Sequence, residues 1–300
     1  MPSHARRVIF NPHAVGYYHC IARCVRRAYL CGYDEFSEKD FSYRRNQIVE
    51  RMNFLSRVFY IEIGHYAIMA NHLHLVMKNR PDQVLSAENE EIVDRWLKLF
   101  PQNSKTQKDK LRIESLRKSL AEDDTWCLKI RERLSDISWY MKCLCEPIAR
   151  KANKEDNVTG HFWEGRFKCI ALLDDTAVKN VGLYVDLNPF RAGIASTIDE
   201  SDFTSLKERS EHAICSDKPR FLAPFADKLD ELSQGGLVPF IQVSTEIYLE
   251  LALEQMSIEN SLIKQMVKAC PTAMGSRGNM KQFATKAGLK WIKGTVDAKY

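Results

Sequence analysis

Two histidines separated by one residue, His72 and His74, are the side chains whose type and spacing most directly indicate chemistry in this chain. The surrounding stretch, residues 66–78, has the pattern of a β-strand, in which residues i and i+2 point to the same face. Leu73 and Leu75 then point to the opposite face, into a core. Two neutral imidazoles side by side can bind one divalent cation, although the same pattern also fits polar residues on one face of a half-buried sheet.

The elements that would position this pair follow a βαββ order. A strand is predicted over residues 16–25, a helix over 41–59, where apolar residues recur at helical spacing, and two strands over 59–69 and 72–78. This order is half of a ferredoxin-like sheet. Further on, the pattern predicts charged helices over residues 88–100 and 105–134, a helix over 136–153 that Pro147 should interrupt, a strand over 162–173 and a helix over 174–187.

Four segments of the first 195 residues resemble, in the same order, segments of one known family. They read Tyr17-Tyr-His-Cys-Ile-Ala-Arg-Cys-Val25, Met69-Ala-Asn-His-Leu-His-Leu75, Thr159-Gly-His-Phe-Trp-Glu-Gly-Arg-Phe-Lys168 and Tyr184-Val-Asp-Leu-Asn-Pro-Phe-Arg-Ala-Gly193. On these segments the chain is similar to the REP-associated tyrosine transposases of the HUH endonuclease superfamily. The remaining residues carry no usable resemblance.

The resemblance implies an α+β fold: a ferredoxin-like antiparallel sheet with flanking helices, in which residues 80–135 look like a helical insertion. Residues 1–200 would then form a transposase-like HUH domain. For residues 201–300 the residue pattern alone predicts a mainly helical C-terminal region of unknown role. The resemblance also implies that His72 and His74 hold Mg²⁺ or Mn²⁺ against a scissile DNA phosphate. The expected partner is single-stranded or hairpin DNA, such as repeated palindromic elements, and a homodimer is expected by resemblance alone.

In that family a helix tyrosine attacks the phosphate, forming a covalent phosphotyrosine intermediate for nicking and joining single strands during DNA transposition. Here the expected position of the nucleophile holds Ile148. Tyr140 is the only tyrosine on the same predicted helix and becomes the candidate catalytic residue. Asn153 matches a family asparagine and is a candidate third metal ligand, although asparagine also commonly caps a helix. Tyr184 and Arg191, in the last segment, are expected to have structural roles.

Three interpretations therefore stay open. The nucleophile has moved to another tyrosine, or the cation activates water, or the chain is a non-catalytic DNA-binding protein derived from such a transposase. The prediction favours the enzyme, an HUH-type DNA endonuclease and strand transferase.

The net charge of the chain is compatible with a nucleic-acid partner but does not indicate one. Lys and Arg number 44 against 39 Asp and Glu, so the net charge is +5. Local clusters of basic residues near tyrosines suit phosphate contacts with base stacking, although an ordinary solvated surface is the alternative. The predicted DNA contacts are Arg23, Arg26, Arg27, Arg166 and Lys168.

The sequence also predicts a location. The first residues have no secretory signal, and no run reaches the ~18–20 apolar residues of a membrane span. The nine cysteines are then expected to be reduced thiols in a cytoplasmic protein that does not contact a membrane.

Overall fold

A five-stranded sheet forms the centre of the molecule in a computed structural model that describes residues 6–25, 30–35, 38–102, 104–215, 221–226, 239–256 and 272–288. The strands are β1 Gly16–Arg23, β2 Tyr33–Asp34, β3 Lys39–Asp40, β4 Ile61–Ile68, β5 His72–Asn79, β6 Lys168–Leu172 and β7 Ala273–Met274. The helices are α1 Arg6–Ile9, α2 Tyr43–Ser56, α3 Pro81–Ser86, α4 Asn89–Leu99, α5 Gln107–Ala121, α6 Asp124–Leu134, α7 Ile137–Glu155, α8 Asp175–Asp186, α9 Asn188–Arg191, α10 Ser205–Cys215, α11 Thr245–Met256 and α12 Arg277–Lys286.

The order of the strands confirms the predicted α+β class. The sheet runs β4-β5-β1-β6-β7, and β1, β4, β5 and β6 pair only antiparallel with one another. The chain passes through β1, α2, β4, β5, α7 and β6, which is the ferredoxin-like order. The short strand β7 joins β6 in parallel.

Side-chain alternation divides the sheet into two faces with separate cores. Leu73 and Leu75 of β5 face the core that α2 and α7 cover, whereas Val76 faces the core that α8 covers. Helix α2 packs on its side because Ile48, Met52 and Leu55 recur at helical spacing and are fully buried. Each such side chain contributes about 1.5–3 kcal/mol by leaving water. His72 and His74 therefore lie on the face opposite α7.

Helix α7 differs from the prediction because it continues through Pro147 without a break. A proline has no N–H for the carbonyl four residues earlier, here that of Cys143. Nε of Arg51, on α2, donates to that carbonyl at 3.1 Å. A side chain from the neighbouring helix thus satisfies the acceptor that Pro147 leaves.

The region between β5 and α7 is helical, as predicted, and consists of α3 to α6. The stretch 105–134 forms two helices, because Asp123 caps the second by accepting from the backbone N–H of Trp126 at 2.9 Å. The strand predicted over residues 162–173 is shorter in the structure, where only β6 pairs with β1 in a continuous ladder. The residues before β6 form a single bridge, between Cys24 and Trp163.

The described part of the region after residue 201 contributes to both cores. Leu206, Phe225, Phe240 and Tyr248 pack on the α8 side of the sheet, whereas Phe221, Leu222, Ala273 and Met280 pack in the other core. Phe225, Phe240 and Tyr248 surround His65 of β4, and β7 extends the sheet itself. No helix among the described residues is long and apolar enough to cross a membrane.

Candidate functional site

An open cleft of about 650 Å³ lies on the α8 side of the sheet and collects most of the predicted site residues. Strand β5 contributes the histidine pair, β1 and β6 contribute basic side chains, and α8 and α9 form the facing wall. The lining residues are Ile21, Arg23, Asn71, His72, His74, Glu164, Gly165, Arg166, Lys168, Tyr184, Asn188, Arg191 and Ala192. All four segments that carry the family resemblance meet here.

The register of the strands places basic side chains beside the histidines. Arg23 lies directly opposite His72, and Ile21 lies between His74 on one side and Lys168 on the other. Residues opposite one another in neighbouring strands share a face of the sheet. The basic side chains of β1 and β6 therefore lie beside the two imidazoles.

A third histidine, His19 of β1, completes the cluster. The rings of His72 and His74 lie 4.8 Å apart at 79°. His19 stacks on His74 at 5.1 Å, and its Nε2 lies 2.9 Å from Nδ1 of His74. Sequence reasoning missed His19, although its alternation with Tyr17 and Ile21 could have indicated the face. Its approach to His74 depends on the pairing of β1 with β5, which no local pattern gives.

Burial keeps these imidazoles neutral near neutral pH. It lowers the pKa of His19 from 6.5 to about 3, and together with the nearby Arg23 it lowers the pKa of His72 to about 4. The pKa of His74 lies well below its usual range, first through burial and then through its two histidine neighbours. A neutral imidazole is the form that can donate a lone pair to a metal.

The donor set fits a divalent cation with two protein ligands. His72 and His74 are neutral, adjacent and in an open cleft, and nitrogen donors suit Mn²⁺ better than Mg²⁺. Within the described ranges, no group of three or more His, Cys, Asp or Glu side chains is arranged to hold a metal. Asn153, the predicted third ligand, is not among the lining residues, and its Nδ2 donates to the carbonyl of Gly160 at 3.0 Å.

Tyr140, the predicted nucleophile, is not brought to the histidines. It lies on α7, in the core on the opposite face of the sheet, with no exposed surface and its ring against Phe59. Burial raises the pKa of its hydroxyl far above 10. The geometry therefore gives no support to the catalytic role predicted for Tyr140.

Tyr184 is the tyrosine that lines the cleft among the described residues. Its ring lies 5.9 Å from that of His74 and 6.3 Å from that of His19. Burial raises the pKa of its hydroxyl, while Asn188 and Arg191 act in the opposite direction. The guanidinium of Arg191 lies 5.2 Å from the centre of the Tyr184 ring.

Arg191 combines the expected structural role with an unsatisfied donor. Its Nη1 donates to the backbone carbonyl of Tyr184 at 3.0 Å, which ties α9 to α8. Its Nη2 is buried and has no hydrogen-bond acceptor in the part of the chain that the structure describes. A buried guanidinium nitrogen without an acceptor is costly.

The other predicted DNA contacts divide into two groups. Arg166 and Lys168 are exposed on the cleft wall, and Arg23 forms a solvent-exposed ion pair with Glu164 at 3.4 Å. Arg26 and Arg27 lie outside the described residues.

No family model matches the chain, and no curated protein matches it. Among solved structures, the chain is similar to a REP-associated tyrosine transposase bound to a REP hairpin. The sequence identity is 10%, the likeness covers 71% of this chain and 88% of that one, and the TM-score is 0.39.

Proposed function

We propose that this chain is a transposase-like DNA-binding protein that holds single-stranded or hairpin DNA in the histidine cleft. The observation that carries the proposal is the group of cationic side chains that line the cleft, which are Arg23, Arg166, Lys168 and Arg191. Charged donors around an open groove suit the phosphodiester backbone, which accepts hydrogen bonds and carries one negative charge per phosphate.

We further propose that the cleft nicks and rejoins the strand. A divalent cation on His72 and His74 would supply charge neutralisation at the non-bridging oxygens of one phosphate. The side chains of Arg166, Lys168 and Arg191 would orient that phosphate and its neighbours. Neutral histidines support this role because they add no positive charge that would repel the cation.

Tyr184 is the side chain we propose as nucleophile. Its phenolic oxygen would form a bond to phosphorus while the bond from phosphorus to the 3′ oxygen breaks. The phenolic proton passes to solvent, and the departing 3′ oxygen takes a proton from solvent to become a free hydroxyl. The phosphotyrosine link retains the energy needed for rejoining, so strand transfer requires no nucleotide cofactor.

One observation favours a second function, DNA binding without cutting. The α7 helix holds Ile148 where a catalytic tyrosine is expected, and its one tyrosine lies on the far side of the sheet. In this alternative the cleft recognises the backbone of a hairpin and performs no chemistry.

The test is an assay with Mn²⁺ and an end-labelled DNA hairpin that has single-stranded flanks. We expect a covalent protein–DNA adduct that Tyr184→Phe abolishes and Tyr140→Phe retains, because each change removes one hydroxyl and only Tyr184 lines the cleft. Metal-dependent cutting without an adduct would favour water as the nucleophile. Tight binding without cutting would favour the second function.

Salt dependence tests the partner separately. If about five phosphates of a single strand are contacted, the slope of log K against log salt should be near −3.5. A flat response would exclude DNA as the ligand of the cleft.

A further inference from the structure

We infer that the carboxylate of Glu164 competes with the phosphates of a bound ligand for Arg23, so that the cleft carries its own inhibitory contact. The inference rests on the proposed function, because it concerns the phosphate contacts of the same cleft. It assigns to Glu164 a role opposite to that of its basic neighbours: Glu164 lowers the affinity of the cleft for anions.

Glu164 is the one acid among the described residues that line the cleft. Its Oε1 lies 3.4 Å from Nε of Arg23, and both side chains are about half exposed, Arg23 at 57% and Glu164 at 51%. The remaining charged residues of the lining are Arg166, Lys168 and Arg191. A single negative charge therefore lies within a group of cations and is paired with one of them.

The backbone holds this pair in place without help from the carboxylate. The N–H of Glu164 donates to the carbonyl of Arg23 at 2.9 Å. The neighbouring Trp163 is fixed to α7, because its Nε1 donates to the carbonyl of Cys145 at 2.9 Å. Glu164→Gln, which is isosteric and removes only the charge, should therefore leave the segment beside β1.

The length of the contact argues against a positioning role for Glu164. A carboxylate that fixes a guanidinium commonly does so through charge-assisted hydrogen bonds of about 2.7–2.9 Å, whereas the contact of Glu164 with Arg23 is 3.4 Å. An exposed ion pair of this kind contributes little free energy. A phosphate oxygen can replace the carboxylate on Arg23, but the released carboxylate then repels the phosphate. Both effects weaken binding.

The first measurement is the affinity for a labelled DNA hairpin with single-stranded flanks, by fluorescence anisotropy. We expect Glu164→Gln to bind about 3- to 10-fold more tightly than the wild type, since it removes both the competing ion pair and the repulsion. Glu146→Gln is the matched control, because it makes the same change in net charge on α7, where Glu146 pairs with Arg150 outside the cleft. Equal gains for the two variants would mean that only net charge matters and would overturn the inference.

A double-mutant cycle with Arg23→Gln distinguishes competition from positioning. If the phosphate displaces Glu164, only the wild type loses an ion pair on binding. Arg23→Gln should then weaken binding more in the Glu164→Gln background than in the wild type, by a factor of about 2 to 5. Equal factors would show that the pair is not displaced. A larger loss in the wild type would show that Glu164 positions Arg23, and either result would refute the inference.

Sodium tripolyphosphate, titrated by calorimetry, separates this inference from the proposed function because it contains phosphate but no nucleoside. If the hairpin binds to no variant while tripolyphosphate binds more tightly to Glu164→Gln than to the wild type and Glu146→Gln, DNA binding is wrong and the inference stands. If the hairpin and tripolyphosphate each bind equally to wild type and Glu164→Gln, the inference is wrong and DNA binding stands. If neither ligand binds to any variant, both are wrong.

Discussion

At the scale of single residues, Arg191 has a structural contact between two helices and, in the proposed function, also binds DNA. One nitrogen of its guanidinium ties two helices together, and another is buried without an acceptor among the described residues. A lysine could supply the charge but not both contacts in one plane.

We therefore predict that Arg191→Gln weakens DNA binding by about 10- to 100-fold, since a hydrogen bond to a charged group contributes about 1.5–3 kcal/mol. Arg191→Lys should recover only part of this loss. Arg150→Gln is the control: Arg150 is exposed on α7, pairs with Glu146 and lies outside the cleft. Fluorescence anisotropy with a labelled hairpin measures all three. Equal losses for Arg150→Gln and Arg191→Gln would mean that only overall charge matters.

The buried His19 predicts a pH dependence of stability. Its pKa is about 3 when folded and 6.5 when exposed, so the unfolded chain binds the proton more readily below pH 6.5. Stability is then fully present above pH 6.5 and falls as the pH is lowered towards 3. The free energy of unfolding lost through His19 approaches about 1.4 kcal/mol for each pH unit.

Urea unfolding at several pH values checks this expectation. The wild type should lose stability faster than His19→Gln below pH 6.5, because the other buried histidines are common to both proteins. If the free energies of unfolding of the two proteins fall in parallel with pH, His19 accepts a proton in the folded state.

At the scale of elements, the contact of α2 with the interior of α7 compensates for Pro147. Arg51→Ala should cost about 1–3 kcal/mol, because it leaves the buried carbonyl of Cys143 without a donor. In a Pro147→Ala background the restored backbone N–H can donate instead, so the same substitution should cost less. A double-mutant cycle in urea measures the coupling, and strictly additive effects would contradict this explanation.

The elements also show how far the sequence could predict the fold and the site. The strands of the histidine hairpin were predicted within two residues of β4 and β5, since alternation is a local property. The later start of β6, the added strand β7 and the contact of Arg51 with α7 were not predicted, because each depends on contacts between distant segments. His72, His74, Arg23, Arg166 and Lys168 line one cleft, and the roles predicted for them there stay predictions. The approach of His19 to His74 required the register of β1 against β5.

At the scale of the whole molecule, a buried network connects helix α11 to α8 and to the sheet. The hydroxyl of Tyr248 on α11 donates to the Asp186 carboxylate of α8 at 2.6 Å, and Asp186 also contacts His65 of β4 at 3.0 Å. All three side chains are fully buried. The region after residue 201 should therefore unfold together with the rest.

We expect Tyr248→Phe to destabilise the whole protein by about 1.5–3 kcal/mol. Tryptophan fluorescence in a Trp291→Phe background is the test, since the four remaining tryptophans all precede residue 201: Trp96, Trp126, Trp139 and Trp163. Their transition should shift together with the circular dichroism signal. Tyr43→Phe is the matched control, because that hydroxyl donates to Glu155 at the surface and should contribute less than about 1 kcal/mol. A fluorescence transition unaffected by Tyr248→Phe would mean that the two parts unfold separately.

Both edges of the central sheet pair with other segments of the same chain. Beside β4, Leu222 and Thr204 form bridges with Ile63 and Ala67, and beside β6 the chain returns as β7. An exposed strand margin is the usual template on which another polypeptide adds a strand, whether in a dimer or in an aggregate. Within the described residues these contacts occupy part of each edge, so we expect a second copy of this protein to associate through helices rather than by adding a strand.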